Sequence, residues 1–173
     1  MLVKGWASTT RLDQNNSILA AGAFDLAIAK RGLAGIALLL DHDWGMPAGR
    51  ITRLETMGGR LWIEAILDPA RPGVAARIAL LRREKKHGFS VGGFKHRFRR
   101  QVDGTLLIRT ADLREVSLTA YPRNTDCQLV FDSAPAKLWP ADLQETLDEQ
   151  DRAVAAAAKR SFIPVIKYEA SQS

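Results

Sequence analysis

Residues 88–120, GFSVGGFKHRFRRQVDGTLLIRTADLREVSLTA, decide how this chain is read. Phe89 and Val91, then Phe94, His96 and Phe98, alternate with other residues at the two-residue period of a strand. Gly92-Gly93 shifts the phase, as a β-bulge would. Gly104 turns the chain into a second strand over 105–110, and 115–120 alternates again. Just upstream, 73–86 has helical spacing, with Val74, Ile78 and Leu81 on one face and bases towards its end, where the helix dipole favours them.

Working outward, residues 2–8 and 17–28 carry β-type segments, the second interrupted by Gly22. Residues 36–41 form a short apolar run suited to a buried strand, and 51–57 and 60–67 flank Gly58-Gly59, a two-residue hairpin turn. Pro69 and Pro72 then break the β pattern. Pro122 ends the last long strand, and 128–131 adds a short one. Many short strands around one embedded helix predict a mainly β chain with helices, of the α+β class. The expected form is a closed or nearly closed antiparallel β-barrel surrounded by helices, rather than alternating βαβ units. Composition shifts near Ser133, where Pro135 and Pro140 punctuate a linker. Beyond it, 141–160 reads as a helix with a thin apolar stripe at Leu143, Leu147 and Val154. The expected division is a barrel domain over 1–132 and a linker with a C-terminal helical arm over 133–173.

The chain has 173 residues, 46% of them hydrophobic, enough for a full core without staples. Charged residues at 25% and aromatics at 7% exclude wholesale disorder. A single cysteine, Cys127, excludes an internal disulfide framework, and with three scattered histidines it argues against a zinc cluster. The best apolar run, 34–40, is far too short for a membrane span, and residues 1–10 lack the pattern of a signal peptide. The net charge of +6 is concentrated: eight Lys/Arg against Glu84 lie between Arg82 and Arg100, and the remainder is nearly neutral. Such a stretch either attracts nucleic acid or an acidic protein surface, or is a solvated helix end and strand face.

Gly88-Phe89-Ser90-Val91-Gly92 has the G-x-S-x-G form in which small neighbours let a serine hydroxyl stand clear of the backbone. A Gly-Ser turn without chemistry is the alternative. The α/β-hydrolase order fails, because the histidine after Ser90, His96, follows in the same strand-like segment. His42, at the end of IALLLD and before a Gly/Pro loop, is the better base, since a serine hydroxyl needs one. It could equally be a surface histidine among Asp41, Asp43 and Trp44. Glu115, in LREVSLTAY, is the notable acid: a carboxylate at a core edge needs a partner, and an imidazole would serve. Asp41, Asp43 and Asp112 compete for that role. His87 and His96 read as structural or solvent-facing.

The order His42 (LLLDHDWGMPAGRI), Ser90 (KKHGFSVGGF) and Glu115 (DLREVSLTAYPRN) resembles the prohead maturation proteases of tailed bacteriophages. The likeness runs from about residue 3 to 124 and includes GAF at Gly22 to Phe24 and Pro47-Ala48-Gly49 after the histidine. Ala48 departs from it, standing where a larger aliphatic residue is expected. That family is in turn similar to the herpesvirus assembly proteases, whose β-barrel carries a serine–histidine pair completed by a second histidine. The resemblance implies a herpesvirus-protease-like fold with His42, Ser90 and Glu115 as catalytic residues and Arg123 as an oxyanion candidate.

The resemblance also implies a serine endopeptidase that trims capsid and scaffold proteins, and itself, during phage head assembly. Its substrates would be the major capsid protein and its scaffold segment, met inside the assembling procapsid in the host bacterial cytoplasm. No metal or cofactor and no membrane partner is expected, self-association is open, and nucleic acid contact is the weaker option. Two rivals remain: a non-catalytic assembly or scaffolding protein with a protease-like fold, and a nucleic-acid-binding β-barrel that uses 82–100 with Phe94 and Phe98 as a stacking platform.

Overall fold

The computed structural model describes residues 1–84 and 87–131. The expected linker and helical arm over 133–173 lie outside the described residues. Eight strands, β1 (Leu2–Ser8), β2 (Ser17–Leu19), β3 (Ala37–Leu40), β4 (Asp43–Met57), β5 (Arg60–Leu67), β6 (Gly88–Arg100), β7 (Leu106–Thr119) and β8 (Leu129–Phe131), dominate the described chain. Two α-helices accompany them, α1 (Asp25–Arg31) and α2 (Val74–Arg83), with a 3₁₀ turn at Leu33–Gly35. The fold is therefore α+β and sheet-dominated.

One sheet holds all eight strands, in the order β2-β7-β3-β4-β5-β1-β8, with β6 also paired to β7. Its inner face seals Leu40, Ile63, Leu67, Phe89, Leu113 and Leu118 almost completely from water. Each such side chain contributes about 1.5–3 kcal/mol by burial. Helix α2 adds Val74, Ile78 and Leu81 to the same core, the three positions that its spacing selects. Arg82 and Arg83 end that helix, where cations meet the negative end of the dipole. Gly58 and Gly59, both at positive φ, close the β4–β5 hairpin between Met57 and Arg60.

The structure departs from the sequence expectation at four points. First, the sheet is mixed, not antiparallel: β2 and β3 both run parallel to β7. Since β6 occupies one edge of β7 along its length, the chain leaves the other edge at Leu19 and passes through α1. It rejoins the same edge, in the same direction, at Ala37. Second, the sheet does not close into a barrel. Among the described residues, its terminal strands β6 and β8 are linked only by an isolated bridge between Gly88 and Gln128, with the Phe89 N–H on the Cys127 carbonyl. β8 has three residues and pairs β1, which leaves no ladder to close the ring.

Third, the β-type reading of 17–28 holds only for Ser17–Leu19. Gly22, at φ +72, turns the chain into α1, which has Asp25 in its first turn and Lys30 and Arg31 in its last, each complementing the dipole. Fourth, residues 106–119 form one strand rather than two. Asp112 need not interrupt it, because Arg31 and Arg114 neutralise its carboxylate.

Glycines at positive φ divide by what surrounds them. A Cβ at Gly49 (φ +148) would lie 2.1 Å from the Ile66 carbonyl oxygen of β5, whereas one at Gly104 (φ +83) would meet nothing within 4 Å. Gly104→Ala should therefore cost only the conformational term of about 1–2 kcal/mol. Gly49→Ala must also push β4 off β5, and should cost well over about 3 kcal/mol. Thermal melts of the two variants check the order; equal losses would contradict it.

Candidate active site

Strand β7 places Glu115 and Ser117 two residues apart, hence on one face of the sheet. Antiparallel β6 sets Ser90 opposite Ser117 and Gly92 opposite Glu115. On the other edge of β7, β3 runs parallel from Ala37, beside Glu115, to Leu40, beside Leu118. The chain then reverses in two residues: Leu40 pairs with Asp43, and Asp41 and His42 have φ +49 and +63. Two positive φ values define a type I′ hairpin turn, and aspartate and histidine are among the non-glycine residues that tolerate it best. His42 thus sits on a tight turn, not before a Gly/Pro loop. The stretch from Gly45 to Gly49 belongs to β4.

This turn lowers the His42 ring onto the face that Ser90 and Glu115 share. Nδ1 lies 2.6 Å from Glu115 Oε1, and Nε2 lies 3.0 Å from Ser90 Oγ. Glu115 is 4% exposed at its side chain and His42 42%, so the carboxylate is sealed while the ring meets solvent. The second carboxylate oxygen, Oε2, accepts the Ser117 hydroxyl at 2.5 Å. Ser117 Oγ in turn accepts the His42 backbone N–H at 3.0 Å. With Nδ1–H donating to Glu115, Nε2 is left as the acceptor for the Ser90 hydroxyl. The hydrogen bond to Glu115 raises the His42 pKa above its usual value; burial, and more weakly the charge of Arg123, act the other way.

The G-x-S-x-G glycines have a packing cause. A Cβ at Gly88 would come 1.9 Å from the Cys127 carbonyl oxygen, and one at Gly92 would come 1.7 Å from Glu115 Oε1. Ser90 itself lies within β6, with no sharp strand-to-helix turn and no Gly-Ser turn around it. The second glycine makes room for the carboxylate, and the first for the strand's approach to 127–128.

Arg123 lies in the wall of a cavity of about 210 Å³ that also contains Ser90, Gly92, Thr9, Arg11 and Asn124. Its backbone carbonyl accepts the Gln14 N–H, and its guanidinium has no hydrogen bond or ion pair among the described residues. The competing acids are committed elsewhere. Asp112 takes a two-point contact from Arg31 and a third from Arg114, and these hold its carboxyl below the usual range. Asp41 pairs with Arg77 of α2, and Asp43 accepts the Gly45 N–H. His87 bonds the Glu84 carbonyl, and His96 is exposed. Burial pushes the Cys127 thiol up to about 12, which keeps it protonated and inert at neutral pH.

Sequence reasoning missed Ser117, Thr9 and Asn124. The period-two rule applied to EVSLTA would have found Ser117 beside Glu115. Nothing local connects Thr9 with Asn124, whose side chains bond across 115 positions.

A family model described as caudovirus prohead serine protease matches residues 3–136. The chain belongs to that family. Among solved structures, this prohead protease is similar to the Kaposi's sarcoma-associated herpesvirus protease in complex with a hexapeptide phosphonate inhibitor. That match has 15% identity and a TM-score of 0.47, and covers 94% of this chain and 89% of the other. The same viral protease with an allosteric inhibitor gives 15% identity and a TM-score of 0.44, with 92% and 90% covered. No curated protein matches in sequence. Among the described residues, no helix is long and apolar enough to cross a membrane.

A raised histidine pKa stabilises the fold fully below the unfolded value of about 6.5, and that contribution is lost as pH rises through the folded value. Glu115→Gln should lower the His42 midpoint in an NMR titration, because the largest cause of the shift is gone. The difference in melting temperature between prohead protease and variant should then narrow as pH rises from below about 6.5 through the raised folded midpoint. An unchanged midpoint would contradict the pairing of Nδ1 with Glu115.

Proposed function

We propose that this prohead protease is a serine endopeptidase in which Ser90 attacks the peptide carbonyl. His42 Nε2 takes the Oγ proton and returns it to the leaving amine, while Glu115 stabilises the imidazolium. The guanidinium of Arg123, unpaired among the described residues and in the wall of the cavity beside Ser90, is suited to stabilise the oxyanion. The scheme calls on no metal or cofactor. Its substrates are the major capsid protein with its scaffold segment, and the protease itself, met inside the procapsid assembling in the host bacterial cytoplasm. The observation that carries the reading is the hydrogen-bonded line from Glu115 through His42 to Ser90. A non-catalytic assembly protein would have no need to bury a carboxylate beneath a histidine in a strained turn.

Phe94 and Phe98, each more than half exposed, share the outer part of β6 with Lys95, Arg97, Arg99 and Arg100. This surface favours a second role, docking on acidic scaffold segments, over free solvent exposure. A nucleic-acid platform would use the same residues and would show a salt-sensitive gel shift with single-stranded DNA.

Co-expression with the neighbouring capsid gene, followed by intact-mass analysis of the products, tests the function. Ser90→Ala should keep the fold and lose trimming and self-cleavage by about 10⁴- to 10⁶-fold. Processing within tenfold of wild type would overturn the assignment. Glu115→Gln should lose about 10²- to 10⁴-fold, while Asn at Asp41, Asp43 or Asp112 should be much milder. A variant at one of those aspartates as damaging as Glu115→Gln would move the orienting role to that residue.

A further inference from the structure

Ser117 is a fully buried hydroxyl that takes no part in the proton transfers between Ser90 and His42. It stands opposite Ser90 across the β6–β7 ladder and beside Leu39 on β3, where the three strands of the site meet. Its oxygen has two partners of fixed character. The His42 backbone N–H, at 3.0 Å, can only donate. Glu115 Oε2, at 2.5 Å, accepts the hydroxyl proton.

We infer that Ser117 is a positioning residue that holds the Glu115 carboxylate and the His42 turn in register, so that Oε1 faces Nδ1 and Nε2 faces Ser90; the inference rests on the protease reading. A main-chain N–H cannot reverse, so Ser117 Oγ must accept from it and send its own proton to Oε2. Oε2 is then held by a donor, which fixes the rotation of the carboxylate and keeps Oε1, an acceptor in any case, turned to Nδ1–H. That bond fixes the tautomer and leaves Nε2 as the site for the Ser90 proton. The same hydroxyl ties the turn carrying His42 to the strand carrying Glu115. One oxygen therefore fixes both the position of the ring and the rotation of the carboxylate that it meets. No bond is made or broken at Ser117, and it does not touch substrate.

A double-mutant cycle separates positioning from mere packing. The rate of Ser90 labelling by a fluorophosphonate, followed by intact mass and peptide mapping, is measured for the wild type, Ser117→Ala, Glu115→Gln and the double variant. Ser117→Ala should slow labelling by about 10- to 100-fold, as small misplacements in such sites do. In the Glu115→Gln background the same change should cost no more than about threefold, because its main route of action has been removed. Full multiplication of the two losses, or wild-type labelling of Ser117→Ala, would overturn the proposal. The second measurement needs no variant: ¹⁵N shifts of the His42 ring, taken above its midpoint, should show the Nδ1–H tautomer alone. A substantial Nε2–H population would overturn the assigned polarity even if Ser117→Ala fails to fold. If wild-type Ser90 does not label at all, the protease reading fails, and Ser117→Ala still tests the positioning role by itself: it should shift the His42 ring ¹⁵N resonances, and an unchanged ring spectrum would overturn it.

Discussion

A carboxylate buried in a sheet must have both oxygens satisfied or be protonated, and at Glu115 that constraint organises everything nearby. One oxygen takes the His42 Nδ1–H and the other takes the Ser117 hydroxyl. Gly92 lacks a side chain because that carboxylate occupies the space. The hairpin at Asp41-His42 accepts two positive φ values because the ring it carries is the carboxylate's partner, and because its N–H and that of Asp41 are bound to β7. Local backbone strain persists where surrounding contacts over-determine it, and this turn is held by three.

The sheet supplies what the carboxylate needs. β7 has β6 on one edge and β3 on the other, so Ser90 from one neighbour and His42 from the turn after the other meet over its face. A serine on a strand is less free than one on a sharp turn. Its hydroxyl direction follows from the pleat, and a rigid scaffold of this kind limits how much of the geometry must be assembled when substrate arrives. The cavity beside Ser90 is bounded by loops tied through Thr9, Asn124 and Asp126, so Arg123 projects from an anchored backbone.

Local patterns in the sequence were legible where the chemistry is local. Val74, Ile78 and Leu81 define α2, Gly58-Gly59 defines its hairpin, and Gly92-Gly93 marks the register shift in β6. The residues His42, Ser90 and Glu115 were distinguishable by type and context, and the fold brings them together from three strands or turns. What could not be read depended on long-range pairing. Parallel contacts of β2 and β3 with β7 leave no mark on either segment, and the failure of β6 and β8 to form a ladder depends on how few residues β8 contributes. The alternation at Leu26-Ala27-Ile28-Ala29 fits strand and helix alike, so α1 was misread. Residues 105–110 and 115–120 read as separate strands because nothing local shows that Arg31, 81 positions away, neutralises Asp112 between them.

In the proposed mechanism the line from Glu115 through His42 makes Ser90 a nucleophile and leaves other serines inert. Treating the folded prohead protease with a fluorophosphonate and mapping the adduct by peptide mass spectrometry tests this most directly. One adduct per chain is expected, on Ser90, and it should vanish when the protein is denatured first. Labelling that ignores the fold, falls on other serines equally, or does not occur at Ser90 would contradict it.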